Sequence, residues 1–239
     1  LGNLLRYEST FTESGKTTSL ADYISRAKDQ QKQIYYLFAP ERERKHTEKN
    51  PYLEAFKARS LEVLFLYDPI DEFVMAHLAE FEGKKLVAAD NAEIEFDKIT
   101  PASTEKTKPL SPEKTNTLCT WIKQTLGKQV ERVDAGKRLI DSPAIILNTE
   151  KMMSPRIRRL INATQQQEKG LFKINLEINP HHPLIKNLAT FKEKDPRTAK
   201  LIAEQILDNA MVTAGYLDNS RSMVTRVYEL LEYITTKDT

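Results

Sequence analysis

Two helix-length apolar stripes joined by a short turn close this chain, and together they are too apolar to stand alone in water. Between Ala199 and Ala214 the residues Leu201, Ile202, Ile206, Leu207, Ala210, Met211 and Ala214 recur at helical spacing. From Ser222 to Ile234 the pattern returns as Met223, Val227, Leu230, Leu231 and Ile234. A terminal hairpin of this kind either covers both faces on its own domain or pairs with a copy of itself in a symmetric four-helix bundle. Periodicity leaves both outcomes open. A dimer interface would draw on Ile206, Leu207, Ala210, Met211, Met223, Val227, Leu230, Leu231 and Ile234.

Composition narrows the classes of partner. The chain's 36 basic and 34 acidic residues leave a net charge of +2, so no strong field favours nucleic acid or an anionic membrane. A single cysteine, Cys119, allows no intrachain disulfide, and no run approaches the roughly 18 apolar residues needed to span a bilayer. A reducing, aqueous compartment is expected. The start, Leu1-Gly2-Asn3-Leu4-Leu5-Arg6-Tyr7, has neither an initiator methionine nor the order of a signal peptide, and is expected to be a cut inside a longer protein.

The 239 residues suit one large or two modest domains. Ser19 to Asp29 is expected to be helical, opened by Ser19 with Asp22 three residues on as a carboxylate form of the capping box. Gln33 to Ala39 is rich in β-branched and aromatic residues and stops at Pro40, and Leu61 to Tyr67 repeats that grammar up to Pro69. Asn50-Pro51 opens a short helix to about Arg59. Ile70 to Phe81 is expected to form a helix closed by Gly83, and Lys85 to Ala89 a further strand. Strand, helix, strand, helix implies parallel pairing in a small α/β/α layer.

From Lys98 to Asn116 three prolines lie among Ser, Thr and Lys with almost no large apolar residue, so a linker is expected, centred on 101–112. Ser111-Pro112 then caps a helix whose stripe is Leu118, Trp121, Ile122 and Leu126, ending at Gly127. Strands are expected at Val130 to Val133, Ala144 to Asn148 and Phe172 to Asn179, with a helical tail from Pro183. The fold class is α/β for residues 1–100 followed by a mixed α+β domain over 113–239 that ends in the helical hairpin.

Several segments resemble one family. Ser19-Leu20-Ala21-Asp22-Tyr23 with Gln31-Lys32-Gln33-Ile34-Tyr35-Tyr36, Asp68-Pro69-Ile70-Asp71-Glu72-Phe73, Glu80-Phe81-Glu82-Gly83-Lys84-Lys85-Leu86, and Leu176-Glu177-Ile178-Asn179-Pro180-His181-His182-Pro183-Leu184-Ile185 are similar, in order and spacing, to the ninety-kilodalton heat-shock chaperones. Leu37-Phe38-Ala39-Pro40, Pro51-Tyr52-Leu53-Glu54-Ala55 and Asn209-Ala210-Met211-Val212-Thr213-Ala214-Gly215 look most like the mitochondrial branch and its bacterial relatives.

The resemblance implies the distal middle domain at about 1–100 and the C-terminal dimerisation domain at 113–239. It implies a homodimer that acts as a clamp on unfolded or partly folded clients, in the bacterial cytoplasm or the mitochondrial matrix. ATP and Mg belong to an N-terminal domain of such a protein. This stretch is therefore expected to need no cofactor and to hydrolyse nothing.

Client contact is implied at Glu72 and Phe73, with Phe73 where some bacterial members carry tryptophan and Ala76 where a polar residue is usual. It is also implied on a helix of about Met152 to Ala163, where Met152, Met153, Ile157, Leu160 and Ile161 stand among Arg156, Arg158 and Arg159. Unbranched apolar groups repack against many shapes. Spacing alone favours a core helix with a basic outer face, and it is the resemblance that favours client contact.

Other residues weigh toward structure. Trp121 lies on an apolar stripe and reads as core. His181 and His182 precede Pro183, where cap and turn roles are expected, and two adjacent histidines make a poor metal pair without further ligands. Arg42-Glu43-Arg44-Lys45 reads as a solvated loop. His46 and His77 are isolated, no glycine-rich phosphate loop is visible, and an α/β enzyme built on Cys119 would need a base that the sequence does not place near it. The competing readings are a purely structural dimer module and an enzyme, either such a Cys119 hydrolase or a nucleotide-dependent catalyst.

Overall fold

The computed structural model describes residues 2–40, 43–94, 96, 108–148, 174–216 and 221–237. These divide into two compact units, one holding the described residues up to 96 with Asn148, the other 108–147 and 174–237.

The first unit contains β1 (Glu8–Ser9), α1 (Leu20–Arg26), β2 (Gln33–Phe38), α2 (Arg44–Thr47), α3 (Glu54–Lys57), β3 (Val63–Leu66), α4 (Pro69–Leu78), β4 (Glu80–Phe81) and β5 (Lys84–Ala88). Its sheet runs β1-β3-β2-β5-β4. Central β2 pairs parallel with both β3 and β5, while β1 and β4 close the edges antiparallel. Ile34 to Leu37 and Val63 to Leu66 are buried without alternation, as expected where helices cover both faces of parallel strands.

Ser19 caps α1 as its sequence requires: its hydroxyl accepts from the Asp22 amide at 3.0 Å, and the Asp22 carboxylate accepts from the Ser19 amide at 3.4 Å. The Ser19 hydroxyl also donates to the Asp22 carboxylate at 2.6 Å, and this bond first, then that from the Ser19 amide, holds the Asp22 carboxyl below its ordinary value. The helix stops at Arg26, three residues short of the expected end. Buried Tyr23 turns inward from it. Its hydroxyl donates to the Glu62 carbonyl at 2.7 Å and accepts from the Gln31 side chain at 2.9 Å and the Tyr35 amide at 3.0 Å.

Two further expectations for this unit fail. The helix that begins at Pro69 ends at Leu78, not Phe81, where Ala79 takes a φ of 54°. Glu82 and Gly83, with φ of 46° and 74°, form the two-residue turn of a hairpin in which Phe81 faces Lys84. Left-handed backbone at both central positions matches the strand twist, so Gly83 serves the β4–β5 hairpin and not a helix end. Nor is Arg44 solvated. Its guanidinium pairs with Glu8 at 3.1 Å and Glu48 at 2.7 Å, donates to the Ser9 carbonyl at 3.0 Å and lies over the Phe65 ring.

The second unit contains α5 (Pro112–Leu126), β6 (Arg132–Ala135), β7 (Ala144–Leu147), β8 (Asn175–Ile178), α6 (Pro183–Lys194), α7 (Pro196–Thr213) and α8 (Arg221–Lys237). Ser111 caps α5 through the Lys114 amide, and the helix takes in residues up to Asn116 that read as linker. Pro at the first helical position supplies the φ a helix start needs and lacks only a donor that would be unpaired there. Trp121 is half-buried against the core formed by its stripe neighbours.

Central β8 pairs parallel with β6 and antiparallel with β7; β7 and β8 lie within their expected segments, whereas β6 starts two residues after the expected Val130 and runs two past Val133. On one face of this sheet Val133, Ile146, Leu176 and Ile178 meet Leu118 and Ile122 of α5, Ile185 and Leu188 of α6, and Ala199, Ile206, Leu207 and Ala210 of α7. The other face carries Glu177, which pairs with Arg138 at 3.3 Å. A Cβ on Gly136 would stand 1.8 Å from the Glu177 carboxyl carbon, so glycine there lets the carboxylate pack on the backbone. Asn179, fully buried, donates to the carbonyls of Ile140 and Ser142 and ties down the segment between β6 and β7. His182 caps α6 by accepting from the Leu184 amide at 3.1 Å, and the His181 amide donates to Asn179, which are the cap and turn roles expected of them.

Candidate functional site

The terminal helices carry similar stripes and meet different fates. Asp195 opens α7, accepting from the Thr198 amide at 3.1 Å and its hydroxyl at 2.8 Å, and Pro196 supplies the first helical residue. The stripe of α7 faces the sheet. Ile206, Leu207 and Ala210 are buried in the unit's own core and Met211 packs against it. These four sequence-derived interface residues are thus covered within the chain, because α7 is the layer that closes the apolar face of the β6-β8-β7 sheet.

Helix α8 is turned the other way. None of its apolar side chains takes part in that core. Met223, Val227 and Leu230 are half-buried, while Leu231 and Ile234 are 50% and 60% exposed. Val224 and Tyr228, which the sequence reading passed over, are 46% and 61% exposed. Their spacing of i, i+4 and i+7 with Leu231 was the available signal, since it sets all three on one strip of the helix.

The residues expected to contact clients separate. Glu72 is buried and lines a cavity of about 270 Å³ with Tyr36, Met75, Asn91, Glu93 and Asn148. The Tyr36 phenol is held well above its ordinary value, first by burial and then by the charges of Glu72 and Asp90. Phe73 lies one position further round α4, half-buried, on the side where Ile70 is 65% exposed. The Phe73 carbonyl lies 2.7 Å from His77 Nδ1. The acidic-aromatic pair therefore does not form one surface: successive helical residues point about 100° apart. Met152, Met153, Ile157, Leu160 and Ile161 lie outside the described residues.

Chemistry of other kinds finds little support in these side chains. The Cys119 thiol is buried in the second unit's core, and burial, helped by the charge of Asp134, pushes it up to about 11, so it carries almost no thiolate at neutral pH. Among the described residues no group of His, Cys, Asp and Glu is arranged to hold a metal ion. Gly15, Gly83 and Gly127 have positive φ but open space around them, as turn residues do, and do not build a cradle for a nucleotide phosphate. No described helix is long and apolar enough to cross a membrane.

The described residues thus form two mixed-sheet units, one of them bearing a helix with an exposed apolar strip. Comparison with known proteins gives the family. The family described as Hsp90 protein matches residues 1–238. Over 244 residues the chain is 41% identical to Chaperone protein HtpG of Desulfotalea psychrophila, covering 97% of this chain and 38% of that protein. It is 39% identical to Heat shock protein 75 kDa, mitochondrial, of Rattus norvegicus, covering 97% of this chain and 33% of the relative. It is 34% identical to the mitochondrial TNF receptor-associated protein 1 homolog of Dictyostelium discoideum, covering 99% and 33%. The chain belongs to the Hsp90 family, and spans about a third of the length of these curated relatives.

Proposed function

We propose that this chain is the distal middle domain and C-terminal dimerisation domain of a clamp chaperone, with residues 1–100 the first part, 101–112 the linker and 113–239 the second. The observation that carries the reading is the outward strip Val224, Tyr228, Leu231 and Ile234 on α8. A second copy offering the same strip would cover both, and a symmetric pair is the closed arrangement that leaves neither exposed. Dimerisation at this end raises the effective concentration of the rest of one chain at the other, so closure of a clamp becomes intramolecular. In this reading ATP and Mg are bound elsewhere in the parent protein, whose compartment is the bacterial cytoplasm or the mitochondrial matrix. Clients meet Phe73 and the apolar residues Met152, Met153, Ile157, Leu160 and Ile161.

Sedimentation equilibrium over a wide concentration range tests the dimer. A mass near twice 27.5 kDa that persists on dilution is expected, and Leu231→Asp should yield a folded monomer. A wild-type chain that stays monomeric rejects the reading. For clients, replacing Ile157, Leu160 and Ile161 with serine is expected to weaken binding of an unfolded protein without lowering the melting temperature; unchanged binding removes that surface from the account.

A further inference from the structure

How α8 is held follows from what it lacks. None of its apolar residues belongs to the core of its unit, and polar and aromatic contacts tie one edge of it to the neighbouring helices. Arg226 reaches across to α7, where Nε lies 3.0 Å from Glu204 Oε2 and Nη1 lies 2.5 Å from Asp208 Oδ2. All three side chains are at most 20% exposed. Seven residues on, Tyr233 meets the Phe191 ring of α6 edge-on at 6.2 Å. Seven residues are two helical turns, so both contacts lie on one edge of α8, about 160° round the helix from Val224.

The chemistry of the contact is exacting. Glu204 and Asp208 are one turn apart on α7, and two carboxylates at that spacing repel unless a cation lies between them. A guanidinium presents donors in a rigid fork, so it can engage two carboxylates at once and in doing so fixes the rotation of the helix that carries it. Apolar packing specifies rotation less sharply, because neighbouring apolar residues can exchange places at little cost.

We propose that Arg226 is the positioning residue of the α8 surface: gripped by Glu204 and Asp208, it sets the rotation of α8 so that Val224, Tyr228 and Leu231 face a second copy of this chain. The proposal rests on the dimer reading above. Without the grip, α8 gains from rolling its exposed strip toward α7 and the recognition surface is lost while the core beneath is kept.

The test compares Arg226→Met, which keeps side-chain length, with wild type in two measurements on the full 239-residue chain. The first is the dimer dissociation constant; the second is the distance distribution between spin labels at Asn209→Cys and Glu229→Cys, with labelled chains diluted into unlabelled ones. Arg226→Met should raise the dissociation constant at least tenfold and shift or broaden the distance distribution, and Arg226→Lys should restore part of both. Glu204→Gln with Asp208→Asn must reproduce the effect from the other side, which guards against a defect peculiar to one variant. A wild-type dimer whose dissociation constant and label distances are unmoved by Arg226→Met overturns the proposal and leaves the dimer standing. A wild-type chain that never dimerises overturns both, and is recognised before any variant is made.

Discussion

Helices α7 and α8 have the same length class and nearly the same apolar spacing, yet α7 is built into the core of its unit and α8 lies outside it, with Met223, Val227 and Leu230 half-buried and Leu231 and Ile234 exposed. Periodicity records which face of a helix is apolar; it does not record what covers that face. The difference lies in the polar side. Helix α7 has a sheet surface waiting for its stripe, whereas α8 is tied to its neighbours through Arg226 and Tyr233.

The largest effect that would break this comparison is a charge in each stripe. Leu207→Asp buries a carboxylate in a core where the leucine is wholly inaccessible, and should cost about 4 kcal/mol or more in urea unfolding. Leu231→Asp, by contrast, should change the stability of the isolated chain by no more than about 0.5 kcal/mol. Equal losses at both sites would mean that the two helices are buried alike.

Thiol chemistry sharpens the contrast on another axis. Cys119, in the core that α7 closes, is expected to stay unmodified by a maleimide at pH 8 for as long as the chain is folded, since burial pushes it up to about 11. A Val224→Cys variant should react at the rate of a free thiol when the chain is dilute and slow as the concentration rises. Prompt modification of Cys119 would show that α7 opens easily.

The smallest expected effect lies under the sheet on which α7 rests. Burial raises the Glu177 carboxyl above 4.5 even though Arg138 pulls it back. A carboxyl with a raised folded value keeps its proton in the folded state when the unfolded chain has lost it, so stability should fall as pH rises from 4.5 through the raised value. Glu177→Gln should flatten that part of the melting profile. An unchanged slope would assign it to other groups.

Much of the fold could be read in advance because its signals are local. Ser19 with Asp22, Asn50-Pro51, Ser111-Pro112 and the run into Pro183 mark starts of helices by backbone chemistry that needs no tertiary partner. The helix ending at Leu78 was misread because Gly83 ends either a helix or a hairpin, and only the pairing of β5 with β2 decides which. Strand β1 is two residues long and has no period to detect. The site followed the same rule. Apolar strips on α7 and α8 were visible, but Glu72 faces a cavity and Phe73 a different side of α4 for reasons set by packing with Tyr36, which is far away in sequence.

The hydroxyl of Tyr23 has a consequence for how this chain can vary. One phenolic oxygen has a single proton to give and two lone pairs to offer, and here all three are used, toward Glu62, Gln31 and the Tyr35 amide. Phenylalanine would fill the same volume and strand three partners belonging to three stretches of chain, while histidine or glutamine would not reach them from α1. Position 23 should therefore accept almost no replacement under selection for a folded first unit, although its side chain is wholly buried; its intolerance would be a signature of architecture that a survey of function alone would mistake for an active site.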